Sequence, residues 1–220
     1  MARRFDLLVF DWDGTLMDSA AHIVHCAQQA FAALSLPVPD DEAVRDIIGL
    51  GLREALQTLA PGLDDHTYDA IREAYRSRFL GAPPDVSPLF PGAHATLEAL
   101  RAEGYRLAVA TGKSRAGLER ELARTGLAPL FSATRCADET ASKPDPRMLH
   151  ELLAETGAGA PAAVMIGDTE YDLLMARAAG AASIAACYGV HACERLHRHG
   201  PLASVQRLSD LPAVLQALDS

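Results

Sequence analysis

The sequence predicts an α/β fold, a mainly parallel sheet covered by helices on both faces, with a small all-helical insert directly after the first strand. Three observations lead there. Beyond about residue 92, short apolar runs alternate with helix-length stretches, the pattern of βαβ units. Between Met17 and Pro84 the alternation stops and only helical patterns remain. The first apolar run, Phe5–Phe10, ends abruptly in two acids and a Gly-Thr turn, FDLLVFDWDGT.

Taken in order, Phe5–Phe10 is a buried strand bounded by a turn signal. The insert follows as three helical patterns, Ala20–Leu34, Asp41–Leu59 and Asp65–Leu80. A Pro- and Gly-rich stretch, residues 81–88, returns the chain to alternation. Strands are then expected at Tyr105–Ala110, Phe131–Cys136, Ala162–Ile166 and Ala181–Cys187. Helices are expected at Gly92–Glu103, Ser114–Arg124, Pro146–Thr156 and Glu170–Ala179. Gly104, Gly126, Gly157 and Gly180 fall where C-terminal caps belong. The reading divides the chain into a core of residues 1–16 and 85–220 and an insert of residues 17–84. Ligands of open parallel sheets bind beyond the carboxyl ends of the strands, so the insert would hang over the site as a lid. Hinges are expected at element ends, Asp18–Ser19 and Pro84–Pro88.

Composition limits the function. The 220 residues are 49% hydrophobic and 22% charged, an ordinary globular balance. A formal net charge of -9 without a Lys/Arg cluster argues against nucleic acid. No segment is apolar and long enough to span a membrane, and the short apolar run near the N-terminus ends in acids, unlike a signal sequence. The expectation is a cytoplasmic protein, monomer or homodimer. Four cysteines, Cys26, Cys136, Cys187 and Cys193, contain no Cys-x-x-Cys pair and suit buried thiols better than a disulfide framework or a zinc site. His191, Cys193, His197 and His199 lack regular ligand spacing.

The chemistry-bearing residues recur at strand ends. Asp11 and Asp13 follow the first strand, Thr111-Gly112-Lys113-Ser114 the second, and Gly167-Asp168-Thr169-Glu170-Tyr171-Asp172 the fourth. Lys143 stands alone before Pro144 and a Pro-started helix. In a parallel sheet these ends face one edge, which would bring Asp11, Asp13, Thr111, Lys143, Asp168 and Asp172 to one crevice. Carboxylates gathered so closely need a cation, and an all-oxygen set suits Mg²⁺. A hydroxyl, free backbone N–H groups and a lysine suit phosphate. Each residue also has a plainer reading: Asp13-Gly14 as a turn, Thr169 and Asp172 as a capping box, Ser114 as an N-cap, Lys143 as a solvated cation. Gly112-Lys113-Ser114 is not a P-loop, because the required earlier glycine is Leu107, and Gly49-Leu50-Gly51 is not a dinucleotide fingerprint, because its third position is Glu54.

Four motifs in order, Asp11-x-Asp13-Gly14-Thr15-Leu16, Thr111-Gly112, Lys143-Pro144 and Gly167-Asp168-Thr169-x-x-Asp172, resemble the haloacid dehalogenase superfamily across essentially the whole chain. The branch is the one with a helical cap after the first strand, and within it the sequence looks most like phosphoglycolate phosphatases. The resemblance implies a three-layer Rossmann-like core, Mg²⁺ as cofactor and a small phosphorylated metabolite as substrate. It implies that Asp11 attacks phosphorus and becomes an aspartyl-phosphate, and that Asp13 protonates the leaving oxygen and then activates water. It also implies that Asp11, the Asp13 backbone carbonyl and Asp168 hold the metal, supported by Asp172. Thr111, Gly112 and Lys143 would bind the phosphoryl group. Phosphatases of this kind often carry Asn where Gly112 stands. The presence of Asp13 speaks against dehalogenation, since a halide needs no acid. The alternatives are a phosphosugar mutase of the same fold and a catalytically silent binding protein. In the insert, Arg53 is the candidate for reaching substrate, with a solvated helix residue as its plainer reading.

Overall fold

In a computed structural model the chain is described at residues 3–81, 83 and 86–219. The run Leu7–Phe10 (β1) is an inner strand of the sheet, and all four residues are buried, as expected for a strand covered on both faces. It pairs in parallel with Arg106–Thr111 (β2) on one side and Ala163–Gly167 (β4) on the other. Ala133–Cys136 (β3), Ala182–Ala186 (β5) and Ala203–Val205 (β6) complete a six-stranded parallel sheet of order β3-β2-β1-β4-β5-β6. The order reverses direction between β1 and β4, which makes the carboxyl end of β1 the point where a crevice opens.

Side-chain alternation along β1 divides the core in two. Leu8 and Phe10 pack with Leu97, Leu100, Val109, Leu118 and Leu211. Leu7 and Val9 pack with Ala108, Met148, Leu149, Leu152 and Met175. Each such side chain, fully removed from water, contributes about 1.5–3 kcal/mol before the entropy of ordering it is set against it.

The helices of the insert are Ala20–Ala33 (α1), Asp41–Asp46 (α2), Leu52–Leu59 (α3) and Asp65–Gly81 (α4). They enclose apolar clusters of their own, one around Val24, Val44 and Ala55 and one around Phe31, Leu56, Tyr68 and Ile71. The single helix expected over Asp41–Leu59 is two. The break falls at Gly49-Leu50-Gly51, where Gly49 takes φ +102° and leaves the helical path. Two linkers join insert and core side by side. Asp18 N–H donates to Pro88 O, Phe90 N–H donates to Leu16 O, and Met17 bridges Leu89. The second expected hinge, Pro84–Pro88, begins outside the described residues.

The core helices are Ala93–Ala102 (α5), Arg115–Thr125 (α6), Arg147–Thr156 (α7), Glu170–Ala178 (α8), Cys193–His197 (α9) and Leu211–Leu218 (α10). The cysteine expectation is corrected in part. Cys26 and Cys136 are buried thiols, but Cys187 and Cys193 form a disulfide. The loop after β5 doubles back so that their Cα atoms lie 4.9 Å apart, a geometry that a spacing of six residues does not announce. Among the described residues no helix is long and apolar enough to cross a membrane.

Candidate active site

Asp11 leaves β1 with its backbone N–H bonded to Ile166 O of β4, so the sheet ladder itself fixes where its carboxylate stands. The side chain is 1% exposed. Lys143 Nζ donates to Asp11 Oδ1 at 2.7 Å and lies 2.6 Å from Asp172 Oδ1, and the lysine is as deeply buried as its partners. Burial opposes charge on this ammonium, but Asp11 and Asp172 outweigh it and hold the lysine's pKa above its ordinary value. Asp11 Oδ2 is different. It is buried and has no hydrogen-bond partner among the described residues.

Asp168, at the end of β4, is wholly buried. Its Oδ1 accepts from Thr15 Oγ1 at 2.6 Å and its Oδ2 from Val190 N at 2.8 Å. Burial, reinforced by Asp172, raises its pKa to about 7. Burial likewise lifts Asp11 well above the carboxylate range, only partly offset by Lys143. Asp172 does double duty. Its Oδ2 accepts from Thr169 N and Thr169 Oγ1 at the start of α8, the capping arrangement its spacing suggests, while Oδ1 faces Lys143.

Asp11, Asp168 and Asp172 bring carboxylate oxygens within 4.8 Å of one another. Three buried acids face one ammonium, so they cannot all ionise without a further cation, and Asp11 Oδ2 has no donor among the described residues. At Gly14 an added Cβ would stand 2.2 Å from Asp168 Oδ2, so the turn leaves room for nothing larger than backbone. An all-oxygen, unbalanced donor set of this kind fits a hard divalent cation such as Mg²⁺.

Asp13 is 8% exposed and faces a cavity of about 590 Å³ between the strand ends and the insert. Ser19 Oγ donates to its Oδ1 at 2.6 Å, and Lys113 Nζ reaches both oxygens, at 3.0 and 3.1 Å. Thr111, 1% exposed at the end of β2, accepts from Lys113 N and lines the same cavity. Gly112 is pressed by the insert: a Cβ there would come within 2.4 Å of Leu50 O and 2.7 Å of Gly49 O. The glycine at this position therefore answers to close backbone packing as well as to any ligand. Ser114 is the N-cap of α6, accepting from Gly117 N.

The insert touches the core at several polar points around the cavity. Gly51 N donates to Ser142 Oγ at 2.7 Å, Tyr171 Oη donates to Asp46 O, and Arg195 pairs with Asp46. Arg53 lines the cavity, but its guanidinium rests on Asp65 at 2.7 Å and its side chain is 55% exposed.

Sequence reasoning missed Lys113 and Ser19 as partners of Asp13, and Thr15 and Val190 as partners of Asp168. Lys113 carried a signal, since it lies two residues after Thr111 at a strand end that also bears a hydroxyl and a glycine. His191 accepts from Glu170 N, and His199 pairs with Glu170. Cys193 Sγ lies 3.7 Å from His197 Nε2 while bonded to Cys187.

Residues 8–186 match the family model of the haloacid dehalogenase-like hydrolases. The chain is 37% identical to a probable phosphatase, IndB, from Dickeya dadantii, over 96% of its own length and 94% of that protein. It is 35% identical to a plasmid-borne phosphoglycolate phosphatase from Cupriavidus necator, over 94% of its own length and 92% of that protein. Its structure superposes with a TM-score of 0.85 on a predicted phosphoglycolate phosphatase from Haemophilus somnus 129pt, at 25% identity, covering 96% of this chain and 98% of the other. A hydrolase from Pseudomonas syringae, 24% identical, shares the fold with a TM-score of 0.89 over 98% of this chain and all of that one.

Proposed function

The chain belongs to the haloacid dehalogenase-like hydrolases, and from that premise we propose that it is a Mg²⁺-dependent phosphatase for a small phosphomonoester. The observation that carries this reading is Asp11, a buried carboxylate with one oxygen held by Lys143 and the other without a donor among the described residues.

The reaction proceeds in two displacements at phosphorus. A carboxylate oxygen of Asp11 attacks in line, the P–O bond to the alcohol breaks, and Asp13 delivers a proton to the departing oxygen. Asp13 then takes a proton from water as that water attacks the aspartyl-phosphate, releasing inorganic phosphate and restoring Asp11. Lys143 orients Asp11 and offsets charge on the transferring group, and Thr111 and the Gly112 N–H bind its oxygens. Asp11, the Asp13 carbonyl and Asp168 would hold Mg²⁺, with Asp172 supporting them through Lys143. The cation would neutralise phosphate charge as the transition state forms. Residues 17–84 act as the cap that encloses the reacting centre.

The test is phosphate release from a panel of small phosphomonoesters, 2-phosphoglycolate among them, with Mg²⁺ and with chelator. Mg²⁺-dependent release that Asp11→Asn abolishes is the expected result. Release that survives Asp11→Asn would overturn the reading.

A further inference from the structure

Asp168 is held from outside its own strand by one short loop, residues 187–193, which runs from the end of β5 into α9. Val190 N donates to Asp168 Oδ2 at 2.8 Å, and His191 N donates to its backbone O at 3.2 Å. Gly189 lies so close that an added Cβ would collide with the Asp168 side chain. Tyr188 Oη donates to Thr15 O at 2.8 Å, and Thr15 Oγ1 is the donor to the other carboxylate oxygen, Asp168 Oδ1. Residues 188–191 therefore all bear on Asp168, directly or through Thr15. The two ends of this loop are Cys187 and Cys193, joined as a disulfide. The near end is fixed without the bridge, because Cys187 N donates to Val205 O on β6. The far end is held less well. The five-residue α9 is too short to be stable alone, and Ala192 before it offers no side-chain cap. Its Leu196 packs on Leu173 and Ala185, and Arg195 pairs with Asp46 and Glu170, so these tethers run to α8, β5 and the insert and not to the loop itself.

We propose that Cys187 and Cys193 are a site of reversible thiol–disulfide exchange that sets how firmly Asp168 is held toward Mg²⁺. This rests on the reading of Asp168 as a metal ligand. Closed, the bridge ties the far end of the loop to the end of β5 and keeps the Val190 N–H on Asp168 Oδ2. Open, the loop loses that tie and the carboxylate loses part of its support. Both bridge cysteines are half-buried, so a small thiol reaches them, whereas Cys26 and Cys136 are buried. The reductant is a dithiol. One of its thiolates attacks Cys187 Sγ, the S–S bond breaks, and Cys193 departs as a thiolate. The dithiol's second sulfur then displaces Cys187 from the mixed disulfide. Two electrons and two protons pass to the cysteines, and the dithiol leaves as its own disulfide. His197 Nε2 stands 3.7 Å from Cys193 Sγ, placed to hydrogen-bond the departing sulfur. A bridge between residues six apart removes little chain entropy from the unfolded state, so its influence is local. What lies within its reach is a metal ligand, and outer partners of such ligands are worth about tenfold to a hundredfold in metal affinity.

The experiment titrates Mg²⁺ into the full chain by calorimetry, once oxidised and once after reduction with dithiothreitol, which is then removed without oxygen. Thiol counting in denaturant should find only Cys26 and Cys136 free before reduction and all four cysteines free after it. Reduction should raise the Mg²⁺ dissociation constant about tenfold or more, and reoxidation with glutathione disulfide should restore it. The melting temperature without Mg²⁺ should move little. Phosphate release should fall at limiting Mg²⁺ and recover at saturating Mg²⁺, a pattern that general loosening of the fold would not give. A Cys187→Ser, Cys193→Ser double variant should bind Mg²⁺ as the reduced protein does and ignore reductant; should it fail to fold, reduction of the unaltered chain still decides. An unchanged dissociation constant with all four thiols free overturns the proposal. So does a fall in melting temperature without a change in Mg²⁺ affinity, which makes the bridge a structural staple only, and so do four free thiols in the oxidised protein. Mg²⁺ binding in neither state removes the metal reading and the proposal together. Redox-sensitive Mg²⁺ binding without release of phosphate from any ester leaves the proposal standing and removes the phosphatase reading.

Discussion

The carboxyl edge of the sheet and the helical insert above it both carry charge into one cavity, but under opposite conditions. On the sheet side Asp11, Lys143, Asp168 and Asp172 are at most 1% exposed, and Lys143 is wedged between two carboxylates from different elements. On the insert side Arg53, Arg72 and Arg76 are half-buried or exposed, two of them tied to acids of the insert and one to no acid among the described residues. Charge buried that deeply is held only by close, well-placed partners, so the sheet edge is suited to fixed chemistry. Charge left near water costs little to rearrange, so the insert is suited to deciding what the chemistry acts on.

The sharpest break of that contrast is Lys143→Met. It leaves two buried carboxylates facing each other without a cation, and loss of one partner of a buried ion pair costs about 3–5 kcal/mol. Thermal or denaturant unfolding should show that loss, and phosphate release should fall below detection. Folding of near-normal stability would mean the sheet-edge charges depend on one another less than their burial implies. Asp13→Ala comes next. Asp13 faces the cavity and is not locked between strands, so the protein should fold, while turnover drops on the order of a hundredfold, as for a lost acid–base group. Near-normal turnover would remove Asp13 from the mechanism.

A third measurement uses protons to probe the sheet edge. Asp168 has its pKa raised from 3.8 to about 7 in the fold. Between those values the folded chain holds a proton that the unfolded chain releases, so without a cation this group's contribution to stability falls as pH rises through that window. A cation needs the ionised form and reverses the trend. Mg²⁺ should therefore raise the melting temperature clearly at pH 8 and much less at pH 6, with the shift lost in Asp168→Asn. A shift of equal size at both pH values would count against Asp168 as a ligand.

The same contrast governs what could be read from the sequence. The strands near residues 7, 106, 133, 163 and 182 announce themselves because buried parallel strands are continuous apolar runs, and the strand-end acids stand out against them. The elements that escaped are those with weak patterns. Ala203–Val205 is three residues long, Cys193–His197 is a five-residue helix, and Leu211–Leu218 follows a stretch already past the last motif. The broken helix at Gly49–Gly51 turns on Gly49 at φ +102°, and the Leu50 and Gly49 carbonyls there pack on Gly112, far along the chain. Lys113 hid for a related reason. A lysine beside a serine in a loop is ordinary until the fold brings Asp13 and Phe79 against it.

The smallest expected effect lies on the insert. Arg53 lines the cavity, yet its side chain is 55% exposed and its partner Asp65 is 81% exposed. An exposed pair contributes about 0.2–1 kcal/mol, because water solvates both ions well and long side chains lose entropy when fixed. Arg53→Ala should therefore change stability by no more than that, and KM for any productive ester should stay within about twofold, since withdrawing Arg53 from Asp65 to serve a substrate gives back what the new contact gains. A tenfold rise in KM with kcat unchanged would instead make Arg53 a substrate ligand. The pair with Asp65 would then be a resting arrangement that the bound anion displaces, and a charge near water would be serving the reaction as directly as those buried at the sheet edge.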